Sequence, residues 1–130
     1  MKNISFKLVL WIFSIVVLSP SAALASTCSQ YQSQLEKNEC ISLEWQKEDG
    51  HLNDIYNKYK NMLTETEKQD LKATQLAWIK YKEGDCQLYG MRYSAGSMYR
   101  YIVTQCELAK TKLRIKELQD LIALWEEMDK

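Results

Sequence analysis

The sequence predicts a small all-α protein, an antiparallel three-helix bundle stapled by two disulfides, and three observations predict it. Helix-favouring Leu, Lys, Glu and Gln are abundant. Beyond residue 25 there is no proline, and the four glycines are too few for the turns of a sheet. Cys86 and Cys106 each lie ten residues from Gly96. If the flanking helices fold back on each other, the two sulfurs lie at the same level along the helix pair.

The first 25 residues are typical of a Sec signal peptide. Two lysines precede an apolar run from Leu8 to Leu18, and Ala23-Leu24-Ala25 matches the small-x-small cleavage pattern. The run is shorter than the about 20 apolar residues that span a bilayer, which favours removal over a retained anchor. We therefore expect residues 26–130 to form one periplasmic or secreted domain with no membrane span. Lipidation at Cys28 is the alternative, although Thr27 fits poorly before an acylated cysteine.

The balance of charges narrows the classes of partner. Cleavage removes two lysines and leaves 15 basic and 17 acidic residues, with the signs interspersed. This near-neutral balance argues against a protein that binds nucleic acid or an anionic membrane. Four cysteines in an exported chain of this size are expected to form two disulfides rather than to remain free thiols.

The first helix is predicted from about residue 31. Its apolar residues follow three-and-four spacing most closely in the second half, the mark of one buried stripe. Gly50 is where we expect the helix to kink. The predicted stripe consists of Leu35, Ile41 or Ser42, Trp45, Leu52, Ile55, Tyr56, Tyr59, Met62 and Leu63.

The second helix is predicted to begin after Thr64, which forms a capping box with Glu67. It is expected to run to about residue 93 and to end at a turn, where Gly96 suits a left-handed position and Ser97 suits the cap of the third helix. The predicted buried side of the second helix holds Leu71, Gln75, Trp78, Tyr81 or Lys82, Cys86 and Tyr89. The predicted buried side of the third helix holds Tyr101, Ile102, Cys106, Ala109, Leu113, Leu118, Leu121 or Ile122, and Trp125.

Four cysteines allow three pairings. The symmetry of the hairpin favours Cys86 with Cys106, which leaves Cys28 with Cys40. An unbroken α-helix would hold the second pair about 18 Å apart, whereas a disulfide needs a Cα separation of about 4.4 to 6.8 Å. Cys28 is therefore expected in a non-helical arm that folds back beside the first helix.

Several stretches, in their order along the chain, carry a resemblance to a known family. They are Cys28 and Cys40, Leu52 to Tyr56, Gln75 to Cys86, Gly96-Ser97 and Cys106. Together they resemble the LprI-like lysozyme-inhibitor domain family over nearly the whole mature chain. The family usually shows Gln-Arg-Ala-Trp, then Tyr-Arg-Asp and a cysteine. Here Leu76, Lys82 and Glu83 replace Arg, Arg and Asp, and Ala95 stands where the family often has a glycine. The resemblance implies a small exported helical domain, of which one named member inhibits lysozyme.

The family motif places Gln75, Trp78, Tyr81 and Lys82 on or beside one helical face. One interpretation makes this face a recognition surface. We favour the other, in which Trp78 and Tyr81 pack in the core while Gln75 and Lys82 form hydrogen bonds at its edge, because large aromatic residues at this spacing mostly pack.

The hairpin tip is the candidate site for a protein partner. Tyr, Met and Arg are enriched in protein interfaces, and not all of those at the tip can be buried at a turn. The alternative is that half of them pack the loop onto the bundle. The residues concerned are Tyr89, Arg92, Tyr93, Tyr99 and Arg100, together with Met91, Met98 and Tyr101.

No catalytic, metal or cofactor site is predicted. His51 is the only histidine, and its neighbour Glu48 lacks the second pair that a di-metal bundle site requires. The carboxylates are expected on solvated faces and in an acidic tail. We expect a protein that works by binding, with a lysozyme-like peptidoglycan hydrolase as its target. The alternatives are an immunity protein against an exported toxin and an envelope-assembly protein.

Overall fold

The computed structural model describes residues 27–128, and every regular element in this range is helical, which confirms the all-α class. A short 3-10 helix, Thr27–Gln30, precedes α1 (Gln34–Asn61) and α2 (Glu65–Gly90). A second 3-10 helix, Met91–Tyr93, leads through the turn into α3 (Met98–Met128). Within the described range, no helix is apolar over a long enough stretch to cross a membrane. The predicted signal peptide, residues 1–25, and the last two residues of the tail lie outside it.

Both long N-terminal helices begin at capping boxes. The Thr64 hydroxyl accepts a hydrogen bond from the Glu67 amide while the Glu67 carboxylate accepts one from the Thr64 amide, as predicted. Ser33 and Glu36 form the same arrangement at the start of α1. The α1 helix then continues through Gly50 to Asn61, so the kink expected there does not interrupt it.

The third helix packs along both of the others. Its start lies beside the start of α1, where the Asn38 amide donates to the Ser97 carbonyl at 3.3 Å. Its end lies beside the end of α1, where the Trp125 indole donates to the Tyr59 hydroxyl at 3.0 Å. The α1 and α3 helices therefore run in the same direction. The α2 helix, which lies between them in the sequence, runs in the opposite direction.

Both disulfides have the predicted pairing. The Cα atoms of Cys28 and Cys40 are 5.6 Å apart, and those of Cys86 and Cys106 are 5.5 Å apart. Cys28 lies in a 3-10 helix rather than in a non-helical arm, so the expected conformation of that segment is wrong although its position is right. The second disulfide joins α2 to α3 below the turn.

The turn itself differs from the prediction. Gly96 does not adopt a left-handed backbone. Instead, the Ser94 amide donates to the Met91 carbonyl at 3.3 Å, and the Gly96 amide donates to the Tyr93 carbonyl at 2.9 Å. After the 3-10 helix ends at Tyr93, these hydrogen bonds turn the chain without a positive φ at Gly96.

Besides two apolar clusters, the interior contains buried polar side chains and two tryptophans, a group that we call the polar layer. We define it as Trp45, Trp78, Lys82, Thr111 and Arg114, of which the last three are buried polar residues. One apolar cluster contains Leu52, Tyr59, Leu63, Leu71, Ile115, Leu118 and Ile122, and the other contains Cys28, Ile41, Tyr101 and Leu108.

Several residues predicted in the core are exposed. Leu35 is 68% exposed, Leu113 is 63% exposed and Tyr81 is 59% exposed, and Tyr89 also faces solvent. The buried stripe of α3 contains Leu108 and Ile115 in place of Ala109 and Leu113. The cause is that periodicity shows which residues share a helix face, whereas the neighbouring helices decide which face is covered.

Candidate interaction surface at the hairpin tip

The hairpin tip, defined as residues 87–105, carries two arginines and no other charged residue. Arg92 and Arg100 are both exposed, and neither forms an ion pair with a described residue. The Cys86–Cys106 disulfide closes the base of the tip. The tip is therefore a cationic, aromatic end of the protein, whereas the rest of residues 26–130 contains 13 basic and 17 acidic residues.

A concave surface of about 690 Å³, the tip groove, lies on one side of this end. Tyr89, Arg92 and Tyr93 form the wall contributed by the end of α2 and the 3-10 helix. The wall contributed by α3 contains Ile102, Gln105, Cys106, Ala109, Lys110 and Leu113. Three of the five predicted partner-binding residues thus share one groove.

The other two lie elsewhere. Tyr99 is half-buried and its ring packs against Gly90, where α2 and α3 come close together. Arg100 lies in a separate groove of about 440 Å³ against α1, which also contains Leu35 and Glu39. Of the remaining tip residues, Tyr101 is buried while Met91 and Met98 are exposed. The predicted site is therefore divided between two faces.

Lys110 forms the lower edge of the tip groove. Its ammonium donates to Asp85 Oδ2 at 2.8 Å and to the Tyr81 hydroxyl at 3.3 Å, and it lies 4.6 Å from the centroid of the Tyr81 ring. The hydrogen bond to Asp85 is the main reason that the pKa of Lys110 is raised. The sequence pattern predicts Tyr81 in the core, but its ring is exposed and contacts Lys110 in this surface cluster.

Sequence reasoning missed the α3 wall of the groove. The available signal is helical spacing, which places Ile102, Cys106, Ala109 and Leu113 on one stripe. The spacing predicts burial in the core, and the sequence does not show that Ala109 and Leu113 are exposed beside α2.

Of the other motif residues, Trp78 and Lys82 belong to the polar layer, and Gln75 contacts it through Arg114. Gln75 Oε1 accepts a hydrogen bond from Arg114 Nε at 3.0 Å, and Arg114 also pairs with Glu117 at 2.8 Å. Two cations lie near the Trp78 ring, the Lys82 ammonium at 5.1 Å and the Arg114 guanidinium at 5.9 Å from its centroid. Gln75 is half-buried and therefore lies at the edge of the core.

Lys82 is only 5% exposed, and its interactions differ from those expected. It forms no hydrogen bond or ion pair with a described residue, and it lies over Trp78 and over Trp45, 5.6 Å from the latter centroid. Nearby, burial raises the pKa of Glu107, while the charge of Lys82 opposes that shift. The Trp45 indole N–H and the Thr111 hydroxyl are buried without a hydrogen-bond partner among the described residues.

Two clusters have donor atoms that could suit a metal. His51 Nδ1 lies 3.7 Å from Glu48 Oε2 on an exposed face, an ordinary helix-surface pair. Cys28, Cys40 and Glu44 also lie close together. Because the two sulfurs are bonded to each other, neither is available as a thiolate ligand. The Glu44 carboxylate instead accepts a hydrogen bond from the Thr27 hydroxyl at 2.6 Å.

Every regular element of residues 27–128 is helical, and two disulfides link these elements. The protein therefore belongs to the class of small disulfide-bonded helical domains. The chain matches the family model for lysozyme inhibitor LprI over residues 25–118. It therefore belongs to the LprI lysozyme inhibitor family. It is also 30% identical over 108 residues to "Uncharacterized protein R02472" of Rhizobium meliloti (strain 1021), covering 73% of this chain and 78% of that protein. No solved structure matches the chain.

Proposed function

We propose that this protein is exported to the periplasm or secreted and inhibits lysozyme-like peptidoglycan hydrolases by binding them through the tip groove. Its family is described as one of lysozyme inhibitors, which supports a protein partner and a role in binding rather than catalysis. The single observation that carries the proposal is the tip groove, where Tyr89, Arg92 and Tyr93 share one concave surface.

The composition of the groove suits a protein interface. Tyrosine and arginine dominate binding hot spots because they combine large contact area with hydrogen bonds. Leu113 and Ile102 supply apolar surface beside them. The disulfide between α2 and α3 holds the two walls of the groove together. A surface ordered before binding loses less conformational entropy on association, which strengthens binding.

The test uses the oxidised protein beginning at Ser26, the proposed mature start. Purified lysozymes and lytic transglycosylases are assayed for peptidoglycan hydrolysis with the protein at micromolar concentration. We expect inhibition of at least one of them. We further expect Tyr93→Ala to weaken that inhibition about 10-fold or more, as for a residue near the centre of an interface.

Tyr31→Ala is the matched control, since Tyr31 is 41% exposed and Tyr93 is 39% exposed, but Tyr31 lies outside the tip. Inhibition by the control should equal that of the parent. Failure of the unaltered protein to inhibit any of the hydrolases would reject the function. Capture of an exported toxin or an envelope complex in its place would favour immunity or assembly.

A further inference from the structure

We infer that Arg92 is the residue that the tip presents to the paired catalytic carboxylates of the target hydrolase. The inference rests on the proposed function and deepens it, because it names the chemical group on the partner that the tip groove recognises. It is supported by the charge distribution of the chain, by the residues that line the tip groove and by the chemistry of glycoside hydrolysis.

The charge distribution of the chain is uneven. The tip contains two arginines and no acidic residue, which leaves 13 basic and 17 acidic residues for the rest of residues 26–130. An acidic surface on a partner is therefore attracted to the tip, whereas the rest of residues 26–130 has a net charge of −4 (13 basic minus 17 acidic residues) with the signs interspersed. Such an arrangement orients the two proteins as they approach each other and raises the rate of productive encounter.

Lysozyme-like glycosidases carry the acidic group that this end requires. A retaining glycosidase positions two carboxyl groups about 5 to 5.5 Å apart on either side of the bond it cleaves. A guanidinium is always protonated and presents its N–H groups in a planar fork, which matches one carboxylate with two hydrogen bonds. An arginine placed between the two carboxyl groups would occupy the position of the substrate.

The structure distinguishes Arg92 from Arg100. The lining of the tip groove contains Arg92 and Lys110 and no carboxylate. The groove that contains Arg100 also contains Glu39, whose negative charge opposes an acidic partner on that face. In addition, Tyr89 and Tyr93 border Arg92 and provide the surface that would exclude water around the ion pair. Burial of this kind strengthens a charged hydrogen bond.

The test measures the dissociation constant by calorimetry for a lysozyme that the protein inhibits. We compare the parent with Arg92→Ala, Arg92→Lys and Arg100→Ala. Both arginines are exposed and lie in the same tip, so the two alanine variants are matched, and thermal unfolding verifies that each is folded. We expect Arg92→Ala to weaken binding about 30-fold or more, Arg92→Lys to weaken it less, and Arg100→Ala to change it less than about 3-fold.

The partner provides the second arm of the experiment. The parent protein should bind less tightly to a lysozyme in which both catalytic carboxylates are replaced by amides. Arg92→Ala should weaken binding to that altered lysozyme only a little further. A loss of affinity for the altered lysozyme on Arg92→Ala as large as that for the unaltered one would mean that the guanidinium binds elsewhere and would overturn the inference. So would parent-like affinity of Arg92→Ala for the unaltered lysozyme. Absence of binding by the parent protein to every hydrolase would instead reject the proposed function, and this inference with it.

Discussion

The ammonium group of Lys82 lies 5.1 Å from the centroid of the Trp78 ring, inside the bundle. Trp45 approaches the same ammonium from α1, so Lys82 links α2 to α1. A cation over an aromatic face is attracted by the negative face of the ring, most strongly where water is excluded. The motif residues Trp78 and Lys82 thus contribute to the packing of α2 against α1, whereas the hairpin tip contains the candidate interaction surface.

Replacing Lys82 separates the contributions of its charge and its aliphatic stem. Lys82→Ala removes both and is expected to lower the free energy of unfolding by about 2 kcal/mol or more. Lys82→Met retains most of the buried volume and should lower it by about 1 kcal/mol or less, because an apolar residue of similar size often replaces a buried charge at little cost. Urea unfolding followed by tryptophan fluorescence measures both. Equal losses in the two variants would contradict a packing role for the stem.

Glu107 makes stability depend on pH. Burial raises the pKa of this carboxyl group above its ordinary value of 4.5, so the folded protein favours the neutral form. The corresponding stabilisation is fully present below pH 4.5 and is lost as pH rises through the pKa of the folded state. Glu107→Gln stays neutral throughout. It should therefore be more stable than the parent at neutral pH, with the difference vanishing in acid.

Urea unfolding at about pH 3 and at neutral pH tests this prediction, since the two conditions lie on either side of a carboxyl titration. Glu127→Gln, which changes an exposed carboxylate near the end of α3, is the control and should show no such gain. A Glu107→Gln variant less stable than the parent at neutral pH would mean that attraction to Lys82 outweighs the cost of burial.

Gly90 is required by the close approach of α2 and α3. A Cβ atom at this position would lie 2.6 Å from Val103 Cγ2 and 2.7 Å from Tyr99 Cε2. Gly90→Ala is expected to cost about 1 to 3 kcal/mol, the range for overpacking a filled interior. Gly84→Ala is the matched control in the same helix, where nothing lies within 4 Å of the added carbon. The control should stabilise by up to about 1 kcal/mol through helix propensity. A stable Gly90→Ala variant would disprove the close contact.

The two disulfides are expected to differ in what they hold in place. They close sequence separations of 12 and 20 residues, so serine replacement of either pair should cost about 2 to 4 kcal/mol. Only Cys106 lines the tip groove, so removal of the Cys86–Cys106 pair should shift the NMR signals of Tyr89 and Tyr93. Removal of the Cys28–Cys40 pair should leave those signals in place. The reverse pattern would show that the groove does not depend on its own disulfide.

The sequence by itself determined the helical class, the capping box at Thr64 and both disulfide pairings. These features follow from interactions within a few residues, or from the covalent reach of a cysteine side chain, and such constraints are visible along the chain. The predicted left-handed turn at Gly96 was wrong because hydrogen bonds donated by the Ser94 and Gly96 amides turn the chain after the 3-10 helix without a positive φ.

The tertiary structure alone decided which helix faces are covered. It exposes Tyr81 and Leu113, opens the tip groove beside Tyr93 and buries Lys82 between two tryptophans. Helical spacing fixes which side chains point in the same direction, but their burial depends on helices that are distant in sequence. The free energy of packing those helices together, which no local pattern contains, therefore determines which stripe becomes core and which becomes a surface for a partner.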